Sequence, residues 1–137
     1  MSQENVEIVR AAFEAWNAGD MDAHNTLYHP DAVVWPPEGW PEPGPFFGKE
    51  AVVRQFGQMR ETWDNDVLEF RDFVEVGNRV AVRLVWHGAG RGPEADLDIT
   101  GIYTVREGRV LAVEFFWGYA EALEAVGLSE QDAHADS

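Results

Sequence analysis

The segment Arg109–Tyr119, which reads RVLAVEFFWGY, constrains the fold more than any other part of the chain. It is a nearly continuous apolar run, and side chains along a strand alternate between two faces. Val113, Phe115 and Trp117 then share a face that carries no charge. Glu114 lies on the opposite face. We therefore expect a β-strand whose uncharged face forms the floor of a pocket, with the rest of the chain as its walls and roof.

Strand-like runs follow one another through the second half of the chain. They are predicted at Val67–Val76, Arg79–His87, Glu94–Val105 and Arg109–Tyr119. Tight turns at Gly77–Asn78 and Arg106–Gly108 indicate that the neighbouring runs form antiparallel hairpins. A further short strand is predicted earlier in the chain, at Ala32–Trp35.

The first half of the chain predicts helices. Apolar residues recur at helical spacing in the first segment, at Val6, Val9, Phe13 and Trp16. Gly19 can end this helix, and Asp20 can cap a second, short helix that ends at Tyr28. Lys49–Trp63 and Ala120–Val126 are predicted as further helices. Helices followed by hairpins are typical of the α+β class, here a cone-shaped, curved antiparallel sheet packed on three N-terminal helices, with a short C-terminal helix.

Length and charge limit the organisation of the chain and its partners. The 137 residues predict a single domain over residues 1–128 and a polar tail over residues 129–137. A formal net charge of -15 argues against binding to nucleic acids or anionic membranes, because their phosphates would repel the protein. No segment predicts a signal peptide or a membrane-spanning helix, so we expect a soluble, cytoplasmic protein.

A proline-rich loop is predicted at Pro36–Gly48, where five of the seven prolines of the chain lie. It also carries Trp40, Phe46 and Phe47, which would be costly to leave in water. The loop is either a rigid crossover whose aromatic side chains pack on the core or a lid over a pocket.

The frame AFEAWNAGD…LYHPDAVV…GKEAV…VREGRV…EALEAVGL resembles the nuclear-transport-factor-2-like superfamily and, within it, the SnoaL-like group. The resemblance covers nearly the whole chain. It implies a conical α+β fold with a deep pocket between sheet and helices, usually in a homodimer formed through the outer sheet face. Members include ketosteroid isomerases, polyketide cyclases, epoxide hydrolases, dehydratases and non-catalytic binding modules, so the fold alone does not determine the function.

The resemblance also implies which strand residues face the pocket. The inner sets are Val82, Leu84 and Trp86; Leu97, Ile99, Gly101 and Tyr103; and Val113, Phe115 and Trp117. Arg83, Asp96 and Asp98 then fall on the outer face with Thr100 and Glu114, where Arg83 could pair with Asp98. A shift of one residue in register would instead bring Arg83, Asp96 and Asp98 into the pocket, where they could form the Asp-Arg-Asp relay of an epoxide hydrolase of this fold.

The isomerase machinery of the family is not reproduced in this chain. The position of the catalytic base falls at Pro36, and the two tyrosine positions fall near Ala12 and at Phe56. The protonated acid falls at Gly101 or the residue before it. Only Tyr28 keeps its residue type, so ketosteroid isomerisation by that machinery is not expected.

Three polar residues near the expected pocket mouth are the candidate catalytic residues, namely Tyr28, Asp31 and Glu38. Tyr28 could place a hydroxyl group among aromatic side chains, or its ring could fill the core while the hydroxyl bonds to backbone. Asp31 could instead serve the turn after Pro30. Glu38 could act as an acid or a base beside the tryptophans.

The histidines predict no metal site. His24 and His29 are five residues apart, whereas a helical metal pair needs four, and we interpret them as a surface residue and a helix-stop residue. His87 ends a predicted strand, and the alternation of side chains places it on the outer face. The chain has no cysteine, which excludes thiolate ligands and disulfides. We therefore expect neither a metal nor another cofactor.

The predicted pocket lining is mainly aromatic: Trp16, Trp35, Trp40, Phe56, Met59, Trp63, Trp86, Tyr103, Phe115 and Trp117. Such a lining suits a small hydrophobic molecule that is cyclic or resembles a polyketide or a terpenoid. Three hypotheses stay open: a cofactor-free isomerase, cyclase or hydratase/hydrolase; a non-catalytic binding protein; and a dimerisation module whose cavity is filled by its own side chains.

Overall fold

A computed structural model describes residues 2–42, 44–90 and 94–127. Its helices lie mainly in the first half of the chain, and a series of strands joined by hairpins fills the second half. The elements are α1 (Ser2–Ala18), α2 (Met21–Thr26), β1 (Tyr28–Trp35), β2 (Phe46–Phe47), α3 (Lys49–Glu61), β3 (Asn65–Val76), β4 (Arg79–Ala89), β5 (Ala95–Arg106), β6 (Arg109–Phe116) and α4 (Tyr119–Ala125). The predicted polar tail at residues 129–137 lies outside the described residues.

The strands form one sheet in the order β2-β1-β6-β5-β4-β3. Strands β3 to β6 pair with their sequence neighbours as antiparallel hairpins, as predicted. The pair formed by β1 and β6 is parallel, so the sheet is mixed rather than wholly antiparallel. The α+β class is confirmed. The parallel pair was not predicted because the two strands are far apart in the sequence and no turn joins them.

Strand β1 begins earlier than predicted. Tyr28 opens the strand and pairs with Val110, and the amide of Val110 donates to the carbonyl oxygen of Leu27 at 2.8 Å. Pairing with β6 therefore draws this segment into the sheet, whereas the sequence predicted that Tyr28 ends a helix. Pro30 lies where the register shifts, at an irregularity that tolerates a residue without an amide hydrogen.

Glycine and aspartate separate the first two helices as predicted. Gly19 has a φ of 76°, the left-handed conformation that lets the chain leave α1. The carboxylate of Asp20 accepts from the amide of Ala23 at 3.1 Å and caps α2. Helix α2 is thereby held between α1 and β1, a position that decides where its side chains point.

The pairing register confirms the predicted faces of the sheet. Val82 pairs with Gly101 and is fully buried in the inner core. Arg83, the next residue, points to the outer face and binds the carboxylate of Asp98, with Nη2 at 2.8 Å from Oδ2. Glu114 pairs with Ile102 on the same outer face. The inner face of β4, β5 and β6 is therefore left to uncharged side chains.

The main core lies between the inner face of the sheet and the helices α1 and α3, and a second, smaller core lies on the outer face. There α4 covers part of the sheet, and its Ala122 and Leu123 are fully buried. They pack with Ala81 and Ile102 from the strands β4 and β5. The C-terminal helix therefore stabilises the sheet from the side opposite the main core.

None of the helices in the described part of the chain is both long enough and apolar enough to cross a lipid bilayer.

Candidate functional site

A cavity of about 70 Å³ lies between the inner face of the sheet and the helices. Eight aromatic side chains form about half of its wall: Trp16, Tyr28, Trp40, Phe46, Phe56, Trp86, Tyr103 and Phe115. Smaller apolar groups complete it, from Val34, Pro36, Pro37, Met59, Leu68, Leu84 and Ile99. Two further polar side chains, His24 and Gln55, also line it. The cavity is thus an apolar space with few polar contacts, as is usual for small-molecule sites.

Most of the predicted lining residues do line this cavity, namely Trp16, Trp40, Phe56, Met59, Trp86, Tyr103 and Phe115. Trp35 does not, because it follows Val34 on β1 and points away from the inner face. It is 39% exposed and lines a shallower pocket formed with the proline-rich loop.

Trp63 and Trp117 also lie outside the wall of the cavity. Trp63 follows the end of α3 and packs flat on Gly88, where a Cβ atom would lie 2.3 Å from its ring. Trp117 follows the end of β6, is 43% exposed and packs against Trp40 at 6.0 Å between ring centroids. Each of them supports a ring that lines the cavity, since Trp63 contacts Trp86. The prediction for Trp117 was wrong because side-chain alternation holds only within a strand, and Trp117 lies beyond the end of β6.

The proline-rich loop covers one side of the cavity. Trp40 stacks on Trp86, with ring centroids 6.3 Å apart and planes inclined by 26°. The indole of Trp117 donates to the carbonyl oxygen of Glu38 at 2.7 Å and ties the loop to the end of β6. The loop therefore acts as a cover built from its own aromatic residue, and the two interpretations of the sequence describe the same arrangement.

Tyr28 and Tyr103 supply the hydroxyl groups of the cavity. Both side chains are buried and line it. Burial raises the pKa of both, and the nearby Tyr103 raises the pKa of Tyr28 further. Both phenols therefore remain protonated and can donate a hydrogen bond at neutral pH. The sequence identified both residues, although it placed Tyr28 in a helix.

His24 is buried in the wall of the cavity, which corrects the prediction of a surface position. It is 4% exposed, and its ring lies 5.3 Å from Trp16, 5.2 Å from Tyr28 and 5.0 Å from Phe56. Burial lowers the pKa of His24; the hydrogen bond to Asn25 opposes this shift, and the charge of Arg60 adds to it. Helix α2 is too short to show an apolar stripe, so the sequence contains no signal for this burial.

Gln55 was not identified from the sequence. Its side chain is 4% exposed on the inner side of α3, and its Nε2 atom has no acceptor among the described residues. A buried amide donor without a partner costs about 1–3 kcal/mol. The only sequence signal that could have pointed to Gln55 is its place directly before Phe56, a predicted lining residue. The group is available to an acceptor atom of a bound molecule.

Asp66 lies behind two of the tryptophans and holds them in place. Its Oδ2 accepts from Trp16 Nε1 at 2.6 Å and from Trp86 Nε1 at 2.8 Å. Arg60 Nη1 lies 3.8 Å from the other carboxylate oxygen and donates to the carbonyl oxygen of Trp16 at 2.8 Å. The sequence missed Asp66 because the predicted strand began one residue later. Extending the alternation of Leu68 and Phe70 back by two positions would have found it.

The structure places Asp31 and Glu38 outside the cavity, which corrects their predicted position in the site. The side chain of Asp31 is 85% exposed, and its amide donates to Nδ1 of His29 at 3.0 Å. Glu38 is exposed, and its contact with Trp117 is made by the backbone oxygen. Asp31 lies in the irregular part of β1, and Glu38 lies on the outer side of the covering loop.

Charged residues cluster on the outer face instead. His87 lies between Asp96, with Nδ1 at 2.6 Å from Oδ1, and Glu69, with Nε2 at 2.8 Å from Oε1. These two hydrogen bonds raise the pKa of His87. Arg83 and Asp98 pair beside them. The Asp-Arg-Asp relay that a shifted register would create in the pocket is therefore absent from the described part of the cavity.

The structure resembles several solved structures. A protein from a soil-derived mobile gene cassette, Bal32a, superposes with a TM-score of 0.76 at 22% identity, over 83% of this chain and 88% of that one. TerC, solved with polyporic acid, gives a TM-score of 0.74 at 24% identity, over 88% and 96%. A protein from Sinorhizobium meliloti that is named as a polyketide cyclase gives 0.68 at 27% identity, over 80% and 93%.

Sequence comparison identifies the family. No curated protein gave a significant match to the chain. A family model described as the SnoaL-like domain matches residues 9–113, which include the second half of α1, all of α2 and α3, and most of the sheet. Other similar structures have ketosteroid isomerase-like and cystatin-like folds, in agreement with the cone of this chain. The chain therefore belongs to the SnoaL-like family of the nuclear-transport-factor-2-like superfamily.

Proposed function

We propose that the cavity binds a small, uncharged cyclic molecule of polyketide or terpenoid type and that the protein converts it without a cofactor. The observation that carries this proposal is a buried aromatic wall interrupted by four neutral hydrogen-bonding groups, those of His24, Tyr28, Gln55 and Tyr103. Carboxylate, ammonium and guanidinium groups are absent from the described lining, although the chain as a whole is strongly acidic. A charged ligand would lose its hydration there without gaining a partner.

Isomerisation, cyclisation and addition of water are the reactions that this proposal includes. They need acid–base groups and a shaped apolar space rather than an oxidant. The similarity to a protein named as a polyketide cyclase supports the substrate class, and TerC shows that a protein of this fold was crystallised with a small molecule. We place the activity in the cytoplasm, as the sequence predicts.

The second candidate function is binding without chemical conversion. It is favoured by the position of the carboxylates, since Asp31 and Glu38 lie outside the cavity and Asp66 is occupied by two indole groups. Ligand that is recovered unchanged after long incubation with the protein would support binding alone. A new product, identified by mass spectrometry, would support the enzyme.

Replacing Gly101 with alanine is expected to weaken binding about 10-fold and to destabilise the fold by about 1–3 kcal/mol. A Cβ atom at this position would lie 2.8 Å from the ring of Tyr103 and 3.1 Å from that of Phe115. Either the new methyl group or a displaced ring would then occupy the cavity. Calorimetric titration with 1-indanone, a small uncharged cyclic ketone, measures the affinity.

The matched control is Gly57→Ala in α3, where a Cβ atom would meet nothing within 4 Å. This variant should bind 1-indanone like the wild type and should be as stable or more stable, because alanine favours the helix. Equal affinities of the two variants would show that ligands bind elsewhere. Undetectable binding of 1-indanone to the wild type would count against the proposed ligand class.

We also propose a homodimer formed through the outer face of the sheet. Exposed Val67 lies there beside Glu69, His87, Arg83 and Asp98, whose opposite charges are paired within the chain and can be covered by the same face of a second copy. An unpaired charge buried at the centre of such an interface would destabilise the dimer.

Val67→Asp is therefore expected to convert the dimer into a monomer, as measured by light scattering after size-exclusion chromatography. Phe73→Asp is the control, since Phe73 is 42% exposed but pairs with Val82, whose side chain lies on the inner face of the sheet. A wild-type monomer, or a dimer that only the control disrupts, would contradict the proposal.

A further inference from the structure

We propose that His24 is a general base in the cavity and that it removes a proton from the carbon next to the carbonyl group of a bound cyclic ketone. In this proposal Tyr28, Tyr103 and Gln55 donate hydrogen bonds to the ligand's oxygen. The inference rests on the proposed function, because it names the chemistry of the same cavity. It assigns the base to α2, whereas the position that holds a carboxylate base in isomerases of this fold is Pro36 here.

The surroundings of His24 hold its ring in the wall of the cavity. Trp16 from α1, Tyr28 from β1 and Phe56 from α3 pack against the imidazole at centroid distances of 5.0 to 5.3 Å. Arg60 is the charged group that acts on it, and Tyr28 is the titratable group in contact with it. Three separate elements therefore fix the orientation of one side chain that also lines the cavity.

The hydrogen bond to Asn25 determines which ring nitrogen can act as the base. Nδ1 lies 3.1 Å from the carboxamide oxygen Oδ1, and this oxygen can only accept. The proton of the neutral ring is therefore on Nδ1, and Nε2 retains its lone pair. Because burial lowers the pKa of His24, the ring is neutral and ready to accept a proton at neutral pH.

Donors for the oxygen of the ligand surround the same space. Tyr28 and Tyr103 stay protonated because burial raises their pKa. Gln55 contributes a buried amide donor that has no acceptor among the described residues. A carbonyl oxygen of the ligand would satisfy this donor, which otherwise destabilises the folded protein. The donor set therefore selects a neutral molecule with at least one acceptor oxygen.

The proton transfer balances without a further reactant. Nε2 of His24 takes the proton, and the electron pair of the broken C–H bond becomes the C=C bond of an enolate. The electrons of the carbonyl π bond move to oxygen, where the donors stabilise the negative charge. The imidazolium then returns a proton to a carbon atom of the ligand. In D₂O it first exchanges its proton for a deuteron, so that the net result is replacement of C–H by C–D.

Deuterium exchange at C2 of 1-indanone in D₂O, followed by ¹H NMR, tests this step without knowledge of the natural substrate. We expect the wild type to accelerate exchange above the buffer background. His24→Gln should reduce the protein-dependent rate about 100-fold, because a positioned general base contributes a factor of about 10² to 10⁴. Tyr28→Phe and Gln55→Leu should each reduce it about 10-fold through the loss of one hydrogen bond.

The matched control is His29→Gln, since His29 lies outside the described lining of the cavity and its Nδ1 accepts from the amide of Asp31. It should exchange 1-indanone at the wild-type rate. Binding is measured separately by calorimetry. Wild-type binding without exchange, or exchange that His24→Gln leaves unchanged, overturns the role of His24 and leaves the proposed function standing. Absence of binding overturns both.

The pH dependence of the wild type gives a second readout that needs no variant. The neutral form of His24 is the active base, so the rate falls when the ring is protonated. Because the pKa of His24 lies below the ordinary value of 6.5, more than half of the maximal rate should remain at pH 6.5, and the midpoint of the decline should lie at lower pH. A rate that has already fallen below half of its maximum at pH 6.5, after subtraction of the background, overturns the assignment.

Discussion

Replacing Asp66 with alanine is expected to lower the free energy of unfolding by about 2–6 kcal/mol, because it leaves two buried indole donors without an acceptor, at a cost of about 1–3 kcal/mol each. The side chain of Asp66 is 3% exposed. It accepts hydrogen bonds from Trp16 at 2.6 Å and from Trp86 at 2.8 Å, and Arg60 lies within 3.8 Å. Urea unfolding monitored by circular dichroism measures the change.

Two variants separate this network from a general effect of removing an aspartate. Asp66→Asn keeps an acceptor oxygen for the indole groups and should lose less stability than alanine does. Asp98→Ala breaks an exposed ion pair with Arg83 and should lose no more than about 1 kcal/mol. If Asp66→Ala and Asp98→Ala lose equal stability, Asp66 has no special structural role.

Asp66 also links the stability of the fold to the shape of the cavity. Trp16 and Trp86 line the cavity with their rings and bind Asp66 with their nitrogen atoms. Asp66→Asn should be more stable than Asp66→Ala, but it should still bind 1-indanone more weakly than the wild type does. Asp66 acts in this case as a positioning residue, since it lies behind the wall of the cavity.

The second large effect is expected on the opposite side of the sheet, where Leu123→Ala should cost about 2–5 kcal/mol. Leu123 is fully buried, and it joins α4 to the small outer core with Ala81 and Ile102. Truncation removes several methyl contacts and leaves a gap that the rigid sheet cannot close. Thermal and urea unfolding measure the loss.

Glu124→Ala is the control for this substitution, because Glu124 is the exposed neighbour on the same helix. It should change stability by no more than about 0.5 kcal/mol. Leu123→Ala should leave the affinity for 1-indanone unchanged, since the sheet separates the outer core from the cavity. A loss of affinity equal to that of the Asp66 variants would contradict this separation of the two cores.

The strands show how much of the site could be predicted from the sequence. The alternation along β6 placed Phe115 in the wall of the cavity, and the family resemblance placed Trp86 and Tyr103 there, where the structure has all three. The resemblance also placed Arg83 and Asp98 on the outer face, where they pair. Alternation is a local property of an extended backbone, so it can be derived from a single segment.

Tertiary contacts decided the parts of the site that the sequence missed. His24 is buried because three other elements close around a helix of one and a half turns, and Asp66 is buried because two tryptophans from distant segments donate to it. Neither position has a repeating pattern of its own. The parallel pairing of β1 with β6 likewise joins segments that no turn connects.

The uncharged face of Val113 and Phe115 was thus determined by the sequence alone, as were the outward position of Glu114 and the α+β class. Which polar groups meet above that face was decided by the tertiary structure. The physical reason is that secondary structure and facing depend on neighbouring residues, whereas the burial of a polar side chain depends on what distant elements bring to it.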